Sequence, residues 1–249
     1  MRAAIGLWRL GRVGLHVLRG VAIVALRFRG LDAAQRQRHI GAWSLGLLHA
    51  IGVRLLARGE FRAGANLVVA NHVSWLDIAA VHAVCPRARF VSKSDVRRWP
   101  LLGWLIGAVG TLFIERERKR DALRVVHEVA AALKNHDAVA VFPEGTTGAG
   151  HEVLPFHANL LQAAITTGTL IQPIVLRYSE PGLPVSVAAQ YIDDTTLVES
   201  MMKVCRARGI VVDVRFLPPE PAGELDRRAL AERLHERVAA ELRSVIQAA

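Results

Sequence analysis

The chain of 249 residues has only two cysteines, Cys85 and Cys205, and an aromatic content of 6%. Neither thiol lies in a metal-type spacing or a disulfide framework, so two inert thiols in a reducing compartment are expected. Sparse aromatics, with no ribonucleoprotein, zinc-finger or basic-region pattern, argue against nucleic acid as a partner. Long apolar runs are also missing. The longest uncharged stretch, Val153 to Leu176, is interrupted by Pro155, His157, Asn159, Thr166-Thr167-Gly168-Thr169 and Pro173. Trp99 to Ile114 is shorter than the roughly 20 apolar residues a span needs. No Gly-Lys-Ser/Thr follows Gly148-Ala149-Gly150, which excludes a P-loop, and no Gly-x-Ser-x-Gly elbow supplies a nucleophile.

Apolar residues and positive charge are what the chain has in quantity. Hydrophobic residues make up 52%, and 32 Lys+Arg against 22 Asp+Glu leave a formal charge of +10. Mean hydropathy is +0.27. An apolar, basic chain suggests an anionic partner, with a bilayer surface first. The first 27 residues sharpen this. On a helix, Arg2, Arg9, Arg12, His16, Arg19 and Arg27 fall within a sector of roughly 100°. Ile5, Leu7, Trp8, Leu15, Leu18, Val21, Ile23 and Leu26 occupy most of the remainder. This is a basic amphipathic helix suited to an anionic membrane interface. Arginines interrupt every candidate apolar core, which speaks against a signal peptide.

After Arg29-Gly30, a second helix is expected from Asp32 to Leu56. Strand-like runs then follow at Leu67–Ala70, Arg89–Ser92, Thr111–Ile114, Ala138–Phe142, Leu170–Arg177, Val185–Tyr191 and Ile210–Phe216. Helical patterns fall at Leu76–Val84, Lys119–Asn135, Phe156–Thr166, Thr195–Ala207 and Glu224–Gln247. The alternation predicts an α/β fold with a mixed, largely parallel sheet flanked by helices. Residues 1–56 form an N-terminal amphipathic two-helix element at the membrane, and residues 57–249 the α/β domain.

Three groups of residues carry chemistry. His72 and Asp77 stand in Asn71-His72-Val73-Ser74-Trp75-Leu76-Asp77, at the exit of an apolar run. Inside one helix they would point about 140° apart, so the pair works only with His72 in the loop and Asp77 in the first helical turn. Ser74-Trp75-Leu76-Asp77 also reads as a capping box, in which Asp77 merely caps amides; both roles remain open. A neutral imidazole oriented by a carboxylate is a general base, and with no nucleophile in the chain it activates a substrate hydroxyl. The second group is Pro143-Glu144-Gly145-Thr146 at a strand's carboxyl end, where open α/β sheets present ligand loops; alone it reads as a turn with a solvated glutamate. The third is Arg116 beyond the Thr111–Ile114 strand, able to clamp a phosphate. His72, Asp77 and His82 lack a ligand spacing, so neither a metal nor a cofactor is expected.

The ordered blocks Asn-His-x4-Asp, Gly110-x-x-Phe-Ile-x-Arg116, Phe142-Pro-Glu-Gly-Thr146 and Pro173-Ile-Val175 together resemble the glycerolipid acyltransferase family, whose bacterial members include 1-acyl-glycerol-3-phosphate acyltransferases. The resemblance implies acyl transfer from acyl-CoA or acyl-acyl-carrier protein to a lysolipid hydroxyl. It makes His72 the base and Asp77 its partner, with Arg116, Glu144, Gly145 and Thr146 at the acceptor. It also implies residence on the cytoplasmic face of an inner membrane. Lysophosphatidic acid is the first expected acceptor and lyso-ornithine lipid the alternative. A non-catalytic peripheral lipid-binding protein is the reading from another class. Two departures bear on the acceptor: Thr147 stands where many relatives have arginine, and Phe156-His157-Ala158-Asn159 replaces a lysine-bearing stretch.

Overall fold

The computed structural model describes residues 2–93, 96, 101–114 and 119–249. Helix α1 (Arg2–Arg27) and helix α2 (Ala33–Ile51) are joined by a short 3-10 turn, Phe28–Gly30. Asp32 caps α2 reciprocally with Gln35. The expected extension of α2 to Leu56 does not occur. Gly52 adopts φ 91 and its amide closes on the carbonyls of Leu48 and His49, a left-handed stop that glycine takes without a steric penalty. Strand β1 (Val53–Arg58) follows at once and straddles residue 56.

The two helices interlock over glycines. A Cβ at Gly20 would collide with the Trp43 indole, one at Gly46 with the His16 ring, and one at Gly52 with the Arg9 guanidinium. His16 Nε2 lies 2.8 Å from the Trp43 carbonyl, and Trp43 Nε1 donates to the His16 carbonyl at 3.1 Å. Arg9 donates to the carbonyls of Cys205 and Ala207, at the carboxyl end of α7 (Leu197–Arg206). Those carbonyls sit at the negative end of the helix dipole, so a part-buried guanidinium suits them. The basic sector expected to face lipid is therefore divided: Arg9 and His16 turn inward, while Arg12 and Arg19 stay exposed. The free side of α1 is apolar, with Leu7, Trp8, Leu15, Leu18 and Leu26 between 59% and 82% exposed. Among the described residues no helix is long and apolar enough to cross a membrane.

Seven strands form one sheet in the order β1-β7-β6-β2-β5-β3-β4. Besides β1 these are β2 (Asn66–Ala70), β3 (Ala88–Lys93), β4 (Leu112–Ile114), β5 (Ala138–Val141), β6 (Ile171–Ser179) and β7 (Ile210–Phe216). All neighbours run parallel except β6 and β7. The mixed, largely parallel sheet is as expected. Central β2 is buried along its whole length, so it reads as a continuous apolar run without alternation. One face packs against α1, α2, α7 and α3 (Leu76–Val84) through Leu48, Ile51, Leu76, Ile174 and Val212. Helices α5 (Lys119–Lys134), α6 (Leu161–Thr167) and α8 (Arg227–Gln247) cover the other through Val129, Leu161, Leu234 and Val238. A short α4 (Leu102–Ala108) precedes β4.

Two expected elements differ. Val185–Tyr191 is no strand, because its polar groups are spent singly: the Ser186 amide goes to Tyr178, the Tyr191 amide to Val73, and the Ser186 hydroxyl to Glu180. The helix expected from Phe156 begins only at Leu161, since the His157 amide is drawn to the Pro143 carbonyl.

The α1–α2 seam predicts contrasting substitutions. Gly20→Ala drives a methyl into Trp43 and should cost about 1–3 kcal/mol. Gly11→Ala meets nothing within 4 Å and should hold or raise stability, by up to ~1 kcal/mol. Thermal denaturation checks both; equal melting of Gly20→Ala and wild type would refute the seam.

Candidate active site

Strand β2 ends at Ala70, paired with Ile174 of β6. Asn71 then replaces the missing ladder with its side chain: Nδ2 donates to the Leu176 carbonyl at 2.9 Å, and Oδ1 accepts from the Leu176 amide at 2.8 Å. Pinned there, the chain presents His72 at the carboxyl edge of the sheet, as the first turn of α3 brings Asp77 back beneath it.

Asp77 is fully buried. Its Oδ2 lies 2.8 Å from His72 Nδ1 and accepts the amides of Val73 at 2.7 Å and Ser74 at 2.9 Å. Its Oδ1 accepts the Tyr178 hydroxyl at 2.7 Å. Both readings of this aspartate therefore hold at once: it caps the approach to α3 and it grips the imidazole. The capping box is only half built, for the Ser74 hydroxyl is buried with no partner among the described residues. With the carboxylate against Nδ1, the proton is assigned to that nitrogen, which leaves the Nε2 lone pair free. Among the described residues Nε2 has no hydrogen-bond partner, and the side chain is 20% exposed. The ring stacks on Phe142 at 4.0 Å and 10°, and Phe142 stacks on Phe90 at 5.7 Å.

The Glu144 turn is strapped to the same loop. The His72 amide donates to Glu144 Oε1 at 2.6 Å, and the Gly148 amide donates to the His72 carbonyl at 2.8 Å. Glu144 Oε2 accepts the Leu154 amide at 2.8 Å. The solvated glutamate expected from the turn alone is in fact 4% exposed, with each oxygen bonded to a backbone amide. Gly145, at φ 72, closes the turn by donating to the Phe142 carbonyl. Thr146 is exposed on the rim, and the Thr147 hydroxyl donates to the Tyr191 carbonyl. Arg116 lies outside the described residues. His82 is buried edge-on to Phe90, with neither ring nitrogen bonded among the described residues, and burial lowers it to about 4.

Tyr178, Asn71 and Phe142 complete the site without having been singled out in the sequence. Alternation along β6 puts Tyr178 on the face of Ile174 and Leu176, and a buried phenol needs an acceptor. Nothing in the sequence says that the acceptor is Asp77.

Burial pushes Glu144 up to about 7, against the opposing bonds from Leu154 and His72. A carboxyl raised on folding contributes stability that is fully present below its ordinary value of 4.5 and is lost as pH rises through about 7. Melting temperature should therefore fall relative to Glu144→Gln between those limits. The glutamine keeps one acceptor oxygen but sets its NH2 group against the second amide, and should itself cost about 1–3 kcal/mol. Parallel melting curves for the two proteins across that window would contradict the assignment.

Residues 54–177 match the family described as Acyltransferase. A lyso-ornithine lipid O-acyltransferase of Pseudomonas aeruginosa is 36% identical over 233 residues, covering 92% of this chain and 88% of the relative. A 1-acyl-sn-glycerol-3-phosphate acyltransferase of Neisseria gonorrhoeae is 33% identical over 218 residues, covering 85% of each. The crystal structure of the 1-acyl-sn-glycerophosphate acyltransferase of Thermotoga maritima shares the fold, with a TM-score of 0.76, 18% identity and 98% of each chain covered. On these full-length relationships, and with a histidine–aspartate pair at the sheet's carboxyl edge, the chain belongs to the Acyltransferase family and is an acyltransferase.

Proposed function

We propose that the protein moves a fatty acyl group from a thioester, acyl-CoA or acyl-acyl-carrier protein, to the free hydroxyl of a lysolipid, with His72 as general base. The 2.8 Å contact between His72 Nδ1 and Asp77, with Nε2 unpartnered among the described residues on a side chain that is 20% exposed, carries this reading. Nε2 takes the hydroxyl proton as the oxygen attacks the thioester carbonyl. Asp77 stabilises the imidazolium, the tetrahedral adduct expels the thiolate, and the imidazolium returns the proton to sulfur. Base assistance of this kind is worth about 10²–10⁴-fold. Direct transfer is supported by the state of the thiols. Burial pushes Cys85 up to about 12 and Cys205 upward, so neither is a ready thiolate nucleophile.

Relatives named for two acceptors match the chain, one bearing phosphate and one not. The motif alone puts lysophosphatidic acid first. The Thr147 side chain favours lyso-ornithine lipid instead: it carries no charge and its hydroxyl is committed to Tyr191. The exposed apolar face of α1, edged by Arg12 and Arg19, supports peripheral attachment to the cytoplasmic face of an inner membrane. Each such arginine contributes about 1 kcal/mol at an anionic leaflet.

In vesicles, His72→Ala should lower acyl transfer by at least ~100-fold; unchanged turnover would remove His72 as the base, and no turnover in wild type with either acceptor would leave the non-catalytic lipid-binding reading. Offered both acceptors with one donor, the purified protein should prefer lyso-ornithine lipid; a clear preference for lysophosphatidic acid would reverse the acceptor assignment. Leu15→Glu with Leu18→Glu should release the protein from anionic vesicles without lowering its melting temperature. Full sedimentation of that variant would exclude α1 as the anchor.

A further inference from the structure

The hydrogen bonds to Asp77 are unevenly divided between its oxygens. Oδ2 has three donors: the imidazole and the amides of Val73 and Ser74. Among the described residues Oδ1 has the Tyr178 hydroxyl alone, 2.7 Å away and 101 residues along the chain. Tyr178 is 1% exposed and Asp77 is fully buried, so bulk solvent does not reach the pair. We propose that Tyr178 is a positioning residue for this reaction: its hydroxyl fixes the second oxygen of Asp77 and tempers the charge that Asp77 presents to His72.

The argument rests on His72 acting as the base. A buried carboxylate with too few donors draws the imidazole proton strongly and stabilises the imidazolium. An imidazole held protonated at neutral pH cannot accept a proton from a hydroxyl. Hydrogen bonds to the carboxylate spread its charge and keep it ionised, so it orients the ring without trapping a proton there. The phenol is suited to this task. Burial, then the nearby Asp77 charge, hold it well above its ordinary range, and it remains a donor at any working pH. It also joins the base to the sheet, because β6 carries Tyr178 while α3 carries Asp77. Among the described residues, the other titratable groups near the pair are Glu144, bonded to the His72 amide, and His82, which meets Phe90 edge-on and connects to the His72 ring through the Phe90–Phe142 stack. Neither bonds to Asp77.

The test follows His72 directly, by nitrogen-15 NMR of the full chain in detergent, its signal among ten histidines assigned with His72→Gln. Tyr178→Phe keeps the ring and removes the donor. Its His72 titration midpoint should move to higher pH by on the order of half a unit. The acidic limb of the kcat/KM profile should move with it. A 3-fluorotyrosine at position 178, a stronger donor, should move both the other way. Coincident midpoints in folded wild type and Tyr178→Phe would overturn the proposal. If the phenylalanine variant does not fold, an unmoved midpoint in the fluorotyrosine protein overturns it equally. A shifted midpoint in a protein that transfers no acyl group would refute the base assignment while leaving the coupling of Tyr178 to His72 intact.

Discussion

One buried carboxylate organises the carboxyl edge of this sheet. Asp77, in the first turn of α3, collects four donors from two parts of the chain: the loop after β2 and strand β6. Each charge-assisted bond is worth about 1.5–3 kcal/mol, and together they offset the cost of removing the charge from water. Because the amides of Val73 and Ser74 bond to the same oxygen as the imidazole, the loop cannot move without disturbing the base. Glu144 repeats the device from the other side, taking the His72 amide with one oxygen and the Leu154 amide with the other. His72 is thus held by side chain, amide and carbonyl, and among the described residues its outer nitrogen is uncommitted.

The N-terminal helices are fixed to this core by different means. Glycines receive large side chains across the α1–α2 seam, and Arg9 closes the end of α7. An arginine that reads as a surface cation on a helical wheel is taken up, part-buried, in bonds to the end of α7. What remains outside α1 is an apolar strip edged by Arg12 and Arg19.

Much of the fold was legible because apolar patterning is local. The β2 run, the amphipathic α5 and α8, and the breaker at Gly168 each announce themselves within a few residues. The first strand was lost because Val53–Arg58 continues the apolar character of α2 across Gly52, and only the left-handed conformation there separates helix from strand. Val185–Tyr191 carried a strand's composition, but its amides and hydroxyl bond singly to Tyr178, Val73 and Glu180 and form no ladder. Within the site, the spacing of His72 and Asp77 drew attention to the pair but left capping and base readings open, and the family resemblance supplied their expected roles. Tyr178 and Asn71 were not, since their partners lie more than 100 residues away and nothing local encodes that pairing.

The proposed chemistry stands on a single displacement, in which a lipid oxygen, and no protein atom, would meet the thioester carbonyl. Incubating the protein with acyl thioester in the absence of lysolipid, and weighing the intact chain, addresses this directly. An unmodified mass that persists until acceptor is added, with product formed only then, is the predicted result. A stoichiometric acyl adduct that transfers to lysolipid would contradict it.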